Sequence, residues 1–144
     1  MTATSARRVT DQSDIIINDR IRHQTAASLA YFAAHPGEID RRLRELDEEW
    51  DIERALETGS SMLTLTGLLL GVTRSRKWLL LSLAVQGFFM QHALQGWCPP
   101  LPVFRRIGFR TQYEIERERY ALKAVRGDFG TPADPADALR AVHA

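Results

Sequence analysis

Residues 58–102 read TGSSMLTLTGLLLGVTRSRKWLLLSLAVQGFFMQHALQGWCPPLP, and the expected architecture follows from this stretch. Its only three charged residues stand together within 74–77, between two uncharged runs. The first run, 58–73, would form a helix of about 24 Å, which is short for a membrane core of roughly 30 Å. The second run, 78–102, is long enough to span, with helix expected to Gln95 or Trp97. Because the link between the runs is so short, we predict an antiparallel transmembrane hairpin over 58–102.

Two further features favour lipid around this hairpin. Trp78 and Trp97 stand near opposite ends of the second run, and tryptophan is enriched where a membrane meets water. The flanking segments are charge-rich and offer few apolar faces that could cover the hairpin. The alternative is a soluble all-helical interaction protein whose hairpin is buried in an oligomer, since short apolar runs also form core helices.

Composition narrows the function classes. The chain has 144 residues with 19 Lys and Arg against 18 Asp and Glu, so no nucleic-acid partner is expected. A single cysteine forms no internal disulfide, and the N-terminus has no apolar run of signal-peptide length. The expected compartments are therefore the cytoplasm and the inner membrane. We find no nucleotide-binding glycine loop, no Ser-His-Asp set and no Cys/His cluster. The sequence therefore predicts a non-catalytic protein without cofactor or metal.

A helical arm is predicted before the hairpin, over residues 1–57. Residues 1–12 are polar and expected to be disordered, and a helix is expected over 14–34 with Ile17, Ile21, Ser28 and Phe32 at helical spacing. His35-Pro36-Gly37 should break that helix.

A second helix should then run unbroken from about 38 to 73. Ile39, Leu43, Leu46 and Trp50 form one stripe at nearly coiled-coil spacing. This stripe should pack on a second copy of the chain or on residues 15–32.

After the hairpin, residues 103–127 are predicted to form an interfacial segment and a C-terminal helix. The segment 103–110 is basic and apolar, as expected beside lipid headgroups. The helix should begin at Thr111, where Thr111 and Glu114 have capping-box spacing, and should stop at Gly127. Residues 128–144 are expected to be a flexible tail.

Polar residues in the second run need hydrogen-bond partners in lipid. They are Gln86, Gln91, His92 and Gln95. One interpretation is a polar site or proton path; the other, which we favour, is hydrogen bonding between helices. His92 alone lacks a second ligand at metal-binding spacing.

Small residues of the first run form one helix face, Thr64, Gly67 and Gly71, with the Gly-x-x-x-Gly pattern that lets helices approach closely. This face could pack within the hairpin or between chains. Because a lone hairpin satisfies few of its polar residues, we predict a homodimer with a four-helix membrane core. Another membrane protein is a further possible partner.

Cys98 allows a third hypothesis, a sulfur or redox accessory protein. A reactive thiol needs a nearby cation or a helix N-terminus, whereas Cys98 follows a helix C-terminus, whose dipole disfavours thiolate. Arg105 and Arg106 could compensate. A structural cysteine is the favoured interpretation.

The motif Gly96-x-Cys98-Pro99 after an apolar hairpin resembles the YgaP-like transmembrane domain family of small bacterial inner-membrane hairpins. The resemblance covers about residues 50–110, and it implies the hairpin fold without chemistry to transfer. Some family members carry a rhodanese domain, and we do not expect the sulfurtransferase activity of that domain in residues 1–144.

Charge sets the expected topology. Eight basic residues lie near the outer ends of the hairpin and three in its turn, so both termini should be cytoplasmic.

Overall fold

A computed structural model describes residues 6–130, and every regular element in that range is a helix, which confirms the all-α prediction. The helices are α1 (Arg8–Asp11), α2 (Ile15–Ala34), α3 (Ile39–Glu48), α4 (Ile52–Thr73), α5 (Leu79–Gln95), α6 (Leu101–Arg106) and α7 (Gln112–Arg126). Short 3-10 turns at Pro36–Glu38 and Arg76–Trp78 precede α3 and α5.

The described residues divide into two compact units. The hairpin unit comprises 6–19 and 50–113, and the arm unit comprises 20–49 and 114–130. Each is described by itself.

The arm unit has an ordinary apolar core. Its buried members are Phe32, Ile39, Leu46, Ile115 and Leu122, with Leu29 and Leu43 packed against them. The predicted stripe of α3 is therefore satisfied within one chain, by side chains of α2 and α7. Trp50 does not belong to it, because that residue is 45% exposed.

Charged groups join the helices of the arm unit around this core. Glu118 is almost fully buried, and its Oε1 accepts hydrogen bonds from the Ser28 hydroxyl at 2.6 Å and from Arg42 Nε at 2.9 Å. Arg119 pairs with Asp47 at 2.6 Å. A buried carboxylate is costly unless it is paired, so these bonds fix α7 on α2 and α3.

The predicted unbroken helix from 38 to 73 is wrong. The backbone at Glu49 is extended, and α4 starts afresh at Ile52. Asp51 explains the new start, because its Oδ1 accepts a hydrogen bond from the Arg54 backbone N–H at 2.6 Å and so caps the helix. Since α4 has 22 residues, it is about 33 Å long, and residues 58–73 form its uncharged part.

The start of the chain also differs from the prediction of disorder over 1–12. Arg8–Asp11 form a helix, and Val9 is buried in the core of the hairpin unit. That core contains Val9, Ile52, Leu56, Cys98 and Leu101, with aromatic side chains of Phe89, Trp97, Phe104 and Phe109 packed against it. Residues 1–5 lie outside the described part of the chain.

The segment after the hairpin is folded more fully than an interfacial stretch. Residues Leu101–Arg106 form a helix, with proline in its first turn, where a missing N–H costs nothing. Arg105, expected near headgroups, is only 2% exposed. Its guanidinium donates to Asn18 Oδ1 at 2.8 Å and to the Phe109 carbonyl at 3.2 Å.

The C-terminal helix agrees with its prediction to within one residue. It runs over Gln112–Arg126, and Gly127 follows with φ of 91°, as a helix stop requires. Of the predicted flexible tail over 128–144, residues 131–144 lie outside the described part.

Candidate functional site

Helices α4 and α5 form an antiparallel hairpin joined by a polar seam. Ser82 Oγ donates to the Thr64 carbonyl at 2.9 Å, and Gln86 Nε2 donates to Thr64 Oγ1 at 2.8 Å. Ser82 and Gln86 stand one helical turn apart, so a single residue of α4 holds two of α5. The small-residue face predicted from the first run lies at this seam.

The two glycines of that face allow the helices to touch. A Cβ on Gly67 would overlap Ser82 Oγ and would lie 3.1 Å from both Ser82 N and the Trp78 carbonyl. A Cβ on Gly71 would overlap the Leu79 side chain. Both glycines are buried, so this face is already occupied by α5 of the same chain.

The outside of the hairpin is apolar and exposed. The large side chains with two fifths or more of their surface exposed are Met62, Leu63, Leu65, Leu68, Leu69, Val72, Trp78, Leu79, Leu80, Leu83, Phe88, Met90 and Leu94. Monomeric soluble proteins rarely expose a contiguous apolar surface of this kind. The hairpin therefore has polar groups inside and hydrocarbon outside.

Two hydroxyl groups on the outer surface of α4 are satisfied within the helix itself. Thr66 Oγ1 donates to the Met62 carbonyl at 2.8 Å, and Thr73 Oγ1 donates to the Leu69 carbonyl at 2.7 Å. Each bond spans four residues of the same helix. Such back-bonding removes the need for water, which lipid does not supply.

The four polar residues of the predicted α5 cluster differ in burial and in hydrogen bonding. Gln86 belongs to the seam with Thr64, while Gln91 is half-buried and Gln95 is exposed. His92 is 3% exposed, and within residues 6–130 neither ring nitrogen has a hydrogen-bond partner. Its ring stacks on Phe89, with centroids 6.5 Å apart. The bond from Gln86 to Thr64 agrees with the favoured interpretation, hydrogen bonding between helices.

Metal binding at His92 has no support from its neighbours. Across the described range, no group of three His, Cys, Asp or Glu side chains is placed to hold a metal ion.

Gly96 of the predicted motif closes α5. Its φ of 78° is left-handed, and its N–H donates to the His92 carbonyl at 2.7 Å. A Cβ there would lie 2.5 Å from the backbone carbon and oxygen of Arg8. Glycine is therefore required at position 96 for two reasons: the left-handed backbone conformation and the close approach of α1.

Cys98 and Pro99 follow this cap. Cys98 is 3% exposed within the apolar core, and its carbonyl accepts from the Leu101 N–H at 3.1 Å. Both residues also line an apolar cavity between α4, α5 and α6. The buried position of the thiol supports a structural cysteine over a sulfur-carrying one.

Several contacts at the site have no strong sequence signal. Ser82 could have been found, because it precedes Gln86 by four residues on the same helix face. The contacts of Arg8 and Val9 could not have been predicted, because nothing in a short polar N-terminus indicates that it packs against the C-terminal end of α5.

Length and composition allow a membrane crossing. Counted across the break at 49–51, the helical stretch Pro36–Thr73 is the one segment of residues 6–130 long and apolar enough to span a membrane. Helix α5, with 17 residues, is about 26 Å long and is shorter than a typical span.

Searches of family profiles, curated proteins and solved structures return no match to this chain.

Proposed function

We propose that this chain is a small non-catalytic integral protein of the bacterial inner membrane, anchored by the α4–α5 hairpin. It would act as a scaffold or partner-binding subunit, most simply as a homodimer. The resemblance to YgaP-like hairpins is compatible with this proposal.

One observation carries the proposal: the hairpin is polar along its seam and apolar over its outer surface. In water, exposing that surface would cost about 25 cal/mol for each Å². In lipid the same surface is favourable, and the seam and the back-bonded hydroxyls leave few polar groups in hydrocarbon. The uncharged part of α4, residues 58–73, is about 24 Å long and would cover most of a membrane core of roughly 30 Å.

The runner-up is a soluble helical protein whose hairpin is covered by other copies. Fractionation separates the two ideas. Under the membrane proposal, the full chain sediments with membranes, stays there through a carbonate wash and is released by detergent. Recovery in the supernatant as a defined oligomer without detergent would favour the soluble alternative.

Topology is the second part of the proposal. Counting basic residues places both termini in the cytoplasm and the turn at Ser75 in the periplasm. A Ser75→Cys variant, in a Cys98→Ser background, should react with a membrane-impermeant maleimide in intact cells. If the thiol introduced at position 75 reacts only after the cells are lysed, the turn faces the cytoplasm and the proposed orientation is wrong.

Self-association completes the proposal, with a revised contact surface. Since Gly67 and Gly71 pack on α5 in the same chain, a second copy would meet the outer leucines instead. Crosslinking in native membranes should capture a dimer, and Leu69→Trp with Leu83→Trp should reduce it. A monomer at every concentration and in every mild detergent would contradict the dimer.

A further inference from the structure

A cavity of about 250 Å³ lies in the hairpin unit where α4, α5 and α6 meet. Its wall is formed by side chains such as Leu56, Leu63, Phe88 and Phe104, together with Cys98. It is larger than the apolar cavities of roughly 150 Å³ that are known to bind benzene.

The chemistry of the wall selects the occupant. Nearly all of it is carbon, and the one hydroxyl, on Ser60, donates to the Glu57 carbonyl of its own helix at 3.1 Å. A buried water needs two to four polar partners. Because the wall offers almost none, water is a poor occupant and hydrocarbon is a good one.

The cavity is continuous with the outer surface of the hairpin. Leu63 and Phe88 line it, yet they are 50% and 46% exposed and belong to the apolar surface described above. A chain lying along that surface can therefore enter without crossing a polar barrier.

Gly59 keeps the space open. It lies inside α4, where glycine is a poorer helix former than alanine. Unlike Gly67, it makes no close helix contact, because a Cβ built there meets nothing within 4 Å. Its φ is also not in the left-handed region. Gly59 lines the cavity, and the absence of a side chain there leaves the cavity space unfilled.

We infer that this cavity binds the end of a single hydrocarbon chain of a membrane lipid, and this inference rests on the proposed membrane location. The chain could belong to a phospholipid or to a free fatty acid, because the wall recognises only hydrocarbon.

Photolabelling in vesicles tests the inference. The full-length protein is reconstituted into phosphatidylethanolamine and phosphatidylglycerol containing a trace of phospholipid with a diazirine at one acyl terminus. After irradiation, adducts are mapped by mass spectrometry. We expect adducts on Cys98 and Phe104 in the cavity, and on Leu65 and Met90 of the outer surface. A parallel sample with a diazirine fatty acid identifies which source supplies the chain.

Matched variants make the result specific. Gly59→Leu fills the cavity and improves helix propensity, so cavity adducts should fall to background while surface adducts remain. Gly87→Leu is the control, because Gly87 lies in α5 with open space around it and does not line the cavity. It should label like the wild type. Val85→Phe fills the cavity from the α5 side and should repeat the loss if Gly59→Leu changes the helical circular-dichroism spectrum.

The outcomes separate the two proposals. Surface adducts without cavity adducts in the wild type, or cavity adducts that persist in both filled variants, would overturn the lipid site while leaving the membrane anchor intact. The absence of both kinds of adduct would overturn the membrane location, and the lipid site with it.

Discussion

Gly67→Ala should weaken the hairpin, although alanine is the better helix former. The new methyl group would overlap Ser82 Oγ, which must then leave the Thr64 carbonyl. Rotating the hydroxyl does not suffice, because Ser82 N and the Trp78 carbonyl are backbone atoms at 3.1 Å from the new carbon. The two helices must therefore move apart.

The expected magnitude follows from three opposing effects. Helix propensity favours alanine by about 1 kcal/mol. Loss of the Ser82 hydrogen bond costs about 0.5–1.5 kcal/mol, and overpacking costs about 1–3 kcal/mol. The balance is a destabilisation of about 0.5–3.5 kcal/mol. Gly87→Ala has the propensity gain without the clash, and it should stabilise α5 by up to about 1 kcal/mol.

Denaturation in mild detergent measures the difference. Each variant is titrated with dodecyl sulfate and helix content is followed by circular dichroism. The expected order of midpoints is Gly87→Ala, wild type, Gly67→Ala, from highest to lowest. If Gly67→Ala gains as much as Gly87→Ala, the close contact between α4 and α5 does not exist.

Three other predictions test the two units. Gly96→Ala should cost about 1–2 kcal/mol from its left-handed backbone alone, and limited proteolysis should show earlier cleavage before α2. Arg42→Ala removes a charged hydrogen bond to buried Glu118 and should lower the free energy of unfolding by about 1.5–3 kcal/mol; an unchanged urea midpoint would contradict the pairing. Arg126 donates hydrogen bonds to the Asp128 carboxylate, and these bonds hold the pKa of that carboxyl below its ordinary value. The pair therefore stabilises the fold fully at pH values above the pKa that Asp128 has in the unfolded chain, and this stabilisation is lost as the pH falls through the lower pKa of the folded chain. In Asp128→Asn, this contribution of Asp128 to the acid dependence of the free energy of unfolding should be absent.

Periodicity predicted the helices where the sequence pattern was strong. The position of α2 follows from apolar spacing and from the break at Pro36. The position of α7 follows from the capping-box spacing of Thr111 and Glu114 and from Gly127, and the structure agrees with both. The break before α4 was missed, because Trp50 continues the stripe of α3 and no proline or glycine interrupts it. The signal was Asp51 as a helix cap, which is weak without knowledge of where the chain turns.

The site was predictable in part, for a physical reason. The face of Thr64, Gly67 and Gly71 is a property of one helix, so spacing alone identifies it. Which helix packs against this face depends on two helices, and from the sequence Gly67 could equally have packed against a helix of another chain. The packing of Val9, the burial of Arg105 and the cavity beside Gly59 all depend on distant segments, which local spacing does not encode.

The arm unit and the α4–α5 hairpin place their polar and apolar groups in opposite ways, and this contrast is the reason for the proposed membrane location. In the arm unit, leucine and isoleucine are buried and most charges face outward, with buried Glu118 paired, as folding in water requires. In the hairpin, Ser82 and the two glycines are buried while leucines cover the outside. Because the hydrophobic effect is absent in lipid, the proposed location requires close packing of small residues and hydrogen bonds across the seam to hold the two helices together. Any covering other than lipid must therefore bury nearly the whole outer surface of α4 and α5.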